Sequence, residues 1–380
     1  MSAAEAQAGW AIIGDTERIR PMQTQPGMRC EMRVILGAVV TAAVLIMAGC
    51  AGGPGGAPSA RTAQDMPAWY LNPSAVYPDQ VYLTAVGTGD TRRDAEQQAL
   101  AGLSQIFEAD IEVDMTTRER YREIMTAQGT LSETEVELAQ TTNVRSAQTL
   151  LNVQTGEAAV DQSGRVHVIA YIERIPTGRL YVELIEKNGN QVQYFLDEAA
   201  VSGTLVREYA YVSAAAVVAA GNELLRDQLR IIAPAMGQIV RLSYTYEDVL
   251  RRRVDLAGRM RVSVVITDDE GDRVGGVLRQ ALGDERFPVS SEDPVLRITG
   301  RVSLEPVALS DEFETVRWVL NLAMSGPDGS ALISYDDQGR ASAVTIDSAR
   351  AFAYRDIQDA VAKNFVRSMR RYFDGLVLGN

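Results

Sequence analysis

The stretch Val34-Ile-Leu-Gly-Ala-Val-Val-Thr-Ala-Ala-Val-Leu-Ile-Met-Ala-Gly-Cys50 constrains this chain most, because it sets about 15 apolar or small residues behind a basic start, Met32-Arg33. A membrane-spanning helix needs about 20 such residues and usually carries basic residues after it as a stop. Here Ala51-Gly-Gly-Pro-Gly-Gly-Ala-Pro58 follows instead. A short apolar run after a basic opening is the layout of an export signal. Residues 32–49 are therefore predicted to be a signal peptide, and the rest of the chain to fold in water.

The end of that run, Met47-Ala48-Gly49-Cys50, resembles the lipobox of bacterial lipoproteins, in which two small residues before the cysteine admit the lipoprotein signal peptidase. Met47 stands where Leu is more usual. The resemblance implies cleavage before Cys50 and acylation of its sulfur. Cys30 is then lost with the leader, so the mature chain holds one sulfhydryl, which is lipidated, and forms no internal disulfide. Residues 1–31, with Asp15, Glu17, Arg18 and Arg20 in a polar segment without periodicity, read as an over-extended start, with Met28 or Met32 as initiator. Residues 50–66, rich in Gly, Ala and Pro, cannot bury enough apolar surface to order themselves. They are expected to act as a tether with a reach of roughly 20 to 25 Å. Ala51 is not the Asp that retains lipoproteins in the inner membrane of enteric bacteria, so the outer membrane is expected, with the protein facing the periplasm.

A chain of 380 residues exceeds one ordinary core and suggests two folded units. The net charge of −13 argues against a nucleic-acid binder, whose affinity comes from clustered Lys and Arg that release counterions from phosphates. We expect an α+β protein: two small modules, each a mostly antiparallel sheet with packed helices, at 67–190 and 259–380, joined by a helical connector at 191–258.

In the first module Val81–Val86 reads as a strand closed by a turn at Gly87-Thr-Gly89. Thr91 and Asp94 then stand at capping-box spacing, and the helix after them shows Ala95, Ala99, Gly102, Leu103, Ile106 and Phe107 on one face. Residues 156–160 and 166–172 flank Asp161-Gln-Ser-Gly164 as a hairpin. Arg118–Thr149 is polar and reads as a helix or an excursion. Leu205–Ile232 carries a narrow seam of Leu205, Tyr209, Val212, Ala216 and Ala219 and should end at Pro234.

In the second module Val262–Ile266 is a predicted strand, and a helix follows near Asp272–Leu282. Leu296, Ile298, Gly300, Val302 and Leu304 alternate, as do Val316, Trp318, Leu320, Leu322 and Met324 against Arg317 and Asn321, so each strand has an inner face. Pro327-Asp-Gly329 and Asp337-Gln-Gly339 are predicted turns. A last helix presents Ile357, Val361, Phe365, Met369, Tyr372 and Leu376, with Lys363, Arg367, Arg370 and Arg371 toward its end.

Pro67-Ala-Trp69-Tyr-Leu-Asn-Pro73, then Val81-Tyr-Leu-Thr-Ala-Val-Gly-Thr-Gly89, then Asp94-Ala-Glu-Gln-Gln-Ala-Leu-Ala101, with the hairpin strand Gly164–Arg174, together resemble the Lpp-twenty family of bacterial envelope lipoproteins. The resemblance covers about residues 67–187. It implies an outer-membrane or periplasm-facing lipoprotein, some relatives being connected to flagellar or surface-structure assembly, and no catalytic residue to carry over.

No residue pattern makes a strong catalytic case. Gly87-Thr-Gly89 has Arg92 where a dinucleotide loop needs its third glycine. His167 is the only histidine, which removes any His-cluster metal site, leaves a single possible base for serine chemistry and points rather to a structural or surface role. Asp268-Asp-Glu-Gly-Asp272 lacks the ligand alternation of a calcium loop and reads as a turn and helix cap. The basic last helix could touch anionic lipid, although its apolar stripe is more simply a core face. The expectation is thus a non-enzymatic scaffold, adaptor or assembly factor. It has no catalytic, cofactor or metal site and no small-molecule substrate, and it is bound to the membrane through Cys50 and to envelope proteins of unknown identity. The alternatives are a periplasmic activator of a peptidoglycan synthase and an envelope enzyme.

Overall fold

The computed structural model describes residues 66–107, 115–127, 150–308 and 312–379; Cys50, the signal peptide and the tether before residue 66 lie outside them, as does 128–149 of the polar segment. The fold is α+β, as expected, with two sheets and helices between and around them.

The chain enters through two single-turn helices, α1 (Ala68–Leu71) and α2 (Pro73–Val76), and runs into strand β1 (Tyr82–Gly89). Helix α3 (Arg92–Gln105) starts where its capping residues predict: the Asp94 amide donates to the Thr91 hydroxyl, which itself donates to the Asp94 carboxylate. Helix α4 (Met115–Ala127) follows, then the hairpin β2 (Gln154–Val160) and β3 (Val166–Glu173), turned at Gly164 with φ +85°. The three strands form an antiparallel sheet in the order β1-β3-β2.

One expectation fails here. Gly87 and Gly89 do not turn the chain; they belong to β1 and pair with Val168 and Val166 of β3. A Cβ on Gly87 would stand 2.1 Å from the Ala95 carbonyl oxygen and 2.2 Å from the Ala99 nitrogen. The glycines therefore let α3 lie with its backbone directly on the strand, and its face of Ala95, Ala99, Leu103 and Phe107 is buried there, while Ile106 stays exposed.

Two long helices, α5 (Arg174–Val201) and α6 (Leu205–Ile232), connect the sheets. Helix α6 ends before Pro234 as predicted, but it has no narrow seam: residues 212–220 are all buried, because helices close around it. Alanine suits that position, since a small side chain lets neighbouring backbones approach. The α5/α6 contact holds a buried polar ladder. The Tyr181 hydroxyl donates to Gln228 (3.0 Å), Asn188 donates to the Tyr121 hydroxyl of α4 (2.8 Å), and Asn222 donates to the Ile185 carbonyl (3.1 Å) and the Tyr244 hydroxyl (3.0 Å). Burial pushes the Tyr244 phenol up to about 12.

After α7 (Pro234–Ile239) and α8 (Tyr246–Arg259), strand β4 (Val262–Thr267) pairs parallel with β5 (Leu296–Val307), with helix α9 (Arg273–Asp284) as the crossover. Strands β6 (Glu314–Ser325) and β7 (Ala331–Ala343) complete a sheet in the order β4-β5-β6-β7. Val316, Trp318, Leu320, Leu322 and Met324 face the core and Arg317 and Asn321 face out, as their alternation predicts. Pro327-Asp-Gly329 makes the β6–β7 turn, with Gly329 at φ +82°.

Asp337-Gln-Gly339 does not turn; it lies within β7. Gly339 faces Trp318 across the strands, and a Cβ there would meet the indole at 2.6 to 2.8 Å, so the glycine seats the ring. The chain ends in one helical stretch: α10 (Ile346–Ala360), a π-turn over Val361–Phe365, and α11 (Val366–Leu378). Its core face runs Ile357, Val361, Phe365, Met369, Phe373 and Val377. Tyr372 and Leu376, expected on that face, are only partly buried. A wide π-turn lengthens the local repeat, which keeps every fourth residue on the core side.

Candidate functional site

The outer face of the three-stranded sheet gathers most of the unusual chemistry. Strand pleating puts Tyr82, Thr84, Val86 and Thr88 of β1 beside Glu173, Tyr171, Ile169 and His167 of β3, away from α3. Such a face would normally meet water. Here α1 and α2 form a strap across it: the Tyr70 ring lies 4.4 Å from the His167 ring, and the Tyr77 ring lies 5.0 Å from Tyr171 and 5.3 Å from Tyr82. Ile169 and His167 are consequently buried, at 0% and 4% exposure, and Trp69 of the strap is buried with them.

Under the strap His167 is bonded on both nitrogens. Nδ1 meets the Thr88 hydroxyl at 2.9 Å and Nε2 meets the Asp161 carboxylate at 2.9 Å. Because the carboxylate can only accept, Nε2 carries a proton, and Thr88 donates to Nδ1 whenever the ring is neutral. The Ser163 hydroxyl, then the imidazole, hold the Asp161 carboxyl well below its ordinary range.

A hydroxyl, an imidazole and a carboxylate in line are the ingredients of nucleophilic catalysis. Two observations place this set in another role. Asp161 also accepts from the backbone amides of Ser163 and Arg165, which makes it the organiser of the β2–β3 turn. The imidazole lies against the Tyr70 ring and is buried. His167 therefore ties the hairpin turn to β1 and to the strap.

A second polar cluster joins distant parts of the chain. Arg120 of α4 makes a two-pronged ion pair with Asp374 of α11, at 2.9 and 2.7 Å, and reaches the Ser213 hydroxyl of α6 at 3.3 Å. Beside it Arg370 bonds Glu285 at 2.7 Å, and Tyr209 and Phe287 complete a small crevice. Its two cations and two anions cancel, and its guanidinium groups are engaged within the protein.

The remaining sequence candidates are engaged in local hydrogen bonds. Thr88 in the Gly87-Thr-Gly89 segment gives its amide to Gln98, so no phosphate cradle forms. In the acidic turn the Asp269 carboxylate accepts from the amides of Arg273, Val274 and Gly275 and caps α9, as read from the sequence. Among the described residues no group of three or more His, Cys, Asp or Glu could hold a metal ion, and no helix is long and apolar enough to cross a membrane. Sequence reasoning missed the strap and the Arg120–Asp374 pair. The strap had a signal, since Trp69, Tyr70, Tyr77 and Tyr82 crowd into a chain with only 6% aromatics. The ion pair, 254 residues apart, had none.

With this geometry in hand, residues 67–184 match the family model of the LPP20 lipoprotein. The matched span holds the strap, the three-stranded sheet, α3 and α4. No curated protein matches the chain. Among solved structures, the secreted protein HP1454 from Helicobacter pylori is 12% identical, with a TM-score of 0.37, over 76% of this chain and 97% of its own. A minor lipoprotein from Acinetobacter baumannii is 12% identical, with a TM-score of 0.25, over 30% of this chain and 93% of its own. The rare lipoprotein B from Shewanella oneidensis is 14% identical, with a TM-score of 0.20, over 31% and 92%.

Proposed function

We propose that this chain is a lipid-anchored lipoprotein of the cell envelope, held by an acyl group on Cys50 and serving as a non-enzymatic scaffold, adaptor or assembly factor for other envelope proteins. One observation carries the reading: the LPP20 lipoprotein match begins at residue 67, directly behind the Met47-Ala48-Gly49-Cys50 site and its Gly-rich tether. The match supports the coarser part, an envelope lipoprotein. The finer part rests on the sealing of the only histidine under the strap and on the engagement of the buried charges with one another. Ala51 after the acylated cysteine favours the outer membrane, with the folded part in the periplasm.

Metabolic labelling with an alkyne fatty acid should tag the wild-type chain and leave Cys50→Ala unlabelled and uncleaved. Labelling of the variant would refute the anchor. Cross-linking in intact cells followed by purification from membranes should recover defined envelope proteins, and recovery of the monomer alone would refute the scaffold role.

A further inference from the structure

The last helical stretch carries its charges in an arrangement that folding does not explain. Between Val361 and Leu378 the charged residues are Lys363, Arg367, Arg370, Arg371 and Asp374. Asp374 is buried against Arg120, and Arg370 is tied to Glu285. What faces solvent is a row of Lys363, Arg367 and Arg371, one residue every four. Lys363 pairs with Asp359, while neither Arg367 nor Arg371 has a hydrogen bond or ion pair among the described residues.

The row works against the helix that holds it. Like charges four residues apart repel and destabilise a helix, and this row contains two such pairs. Complementing the helix dipole does not account for it, because that effect dies away within the last turn, and Arg371 stands seven residues before the helix end at Leu378. The chain as a whole is strongly acidic, at −13, so a row that continues past the Lys363–Asp359 pair with two arginines is a local reversal of sign.

We propose that Lys363, Arg367 and Arg371 form a contact strip for the anionic headgroups of the membrane that anchors the protein. The choice of occupant rests on the lipid-anchor reading: a tethered domain meets a charged surface continuously, and a basic strip attracts an anionic surface that the acidic chain as a whole repels. The shape fits, since eight residues of helix set the outer charges about 12 Å apart in a line on a convex face, which suits a flat sheet of phosphates rather than an enclosed ligand. Each basic side chain near such a surface adds to the attraction, which salt weakens.

The test uses the lipidated chain reconstituted in vesicles, with an environment-sensitive fluorophore on Ser368→Cys, between the two arginines, or on Val344→Cys, an exposed position elsewhere. With phosphatidylglycerol present the Ser368 label should shift to the blue, and phosphatidylcholine alone should leave it unshifted. Salt at roughly 0.5 M should reverse the shift. Arg367→Gln with Arg371→Gln should abolish it, and Arg367→Lys with Arg371→Lys should keep it. An equal shift on neutral vesicles, an equal shift at Val344, or a shift surviving the glutamine pair would overturn the proposal. A shift produced by added polyglutamate but not by vesicles would overturn it in favour of an acidic protein partner. Two fluorophores per chain would reveal a free Cys50 thiol. That outcome refutes the anchor itself and the choice of occupant with it, whereas one label and no shift refutes only the strip.

Discussion

The two sheets bury their residues in different ways. The four-stranded sheet has one wet face, so β6 alternates: Val316, Trp318, Leu320, Leu322 and Met324 go in, and Arg317 and Asn321 go out. The three-stranded sheet is covered on both sides of its middle strand, and Val168, Ile169 and Ala170 of β3 are buried in succession. A one-sided sheet writes its register into the sequence as a period of two, whereas a two-sided sheet writes only an apolar run. The covers of the second kind come from elsewhere in the chain, here α3 on one face and the strap on the other.

The largest expected effect tests the one-sided sheet. Trp318→Ala should remove a buried ring seated on Gly339 and cost about 3 to 5 kcal/mol, a large share of a domain's total of about 5 to 15, whereas Arg317→Ala on the wet face should cost little. Thermal melts of the two variants decide it, and equal midpoints would mean that the strand register is wrong. Next comes the two-sided sheet. Gly87→Ala should force α3 away from β1 and cost about 1 to 3 kcal/mol or more, since the new carbon meets backbone rather than a movable side chain. If its denaturant midpoint matched the wild type, the direct seating of helix on strand would be refuted.

The smallest effect probes the hairpin turn beside the strap. Asp161 is held below its ordinary range, so its stabilising contribution is complete above the unfolded-state value of about 4 and drains away as the pH falls toward the lowered folded value. Melting temperatures of wild type and Asp161→Ala should differ at neutral pH, and the gap should narrow steadily as the pH falls below about 4. A gap that persisted or widened in acid would detach the Asp161–His167 contact from the stability of the hairpin.

What could be read from the residues follows this contrast. Local rules located the Thr91 cap, the hairpin at Gly164, the end of α6 before Pro234 and the inner face of β6, because each depends on neighbours within a few positions. The same rules misread glycine twice. Gly87 and Gly339 look like turn residues, yet each exists to let something large lie close, a helix backbone in one case and an indole in the other. Among the site residues, the burial of His167, its partners Thr88 and Asp161 and its cover Tyr70 were not foreseen.

The sequence by itself determined the α+β class, several capped helices and alternating strands, and the resemblance of residues 67–187 to an envelope lipoprotein family, since periodicity, capping and motif order are local properties of the chain. Only the tertiary structure decided which faces are covered. It buried α6 all round over residues 212–220, closed the strap over Ile169 and His167, and joined Arg120 to Asp374 across 254 residues. These contacts depend on which surfaces meet after the chain has folded back on itself, and no spacing along the chain encodes that meeting.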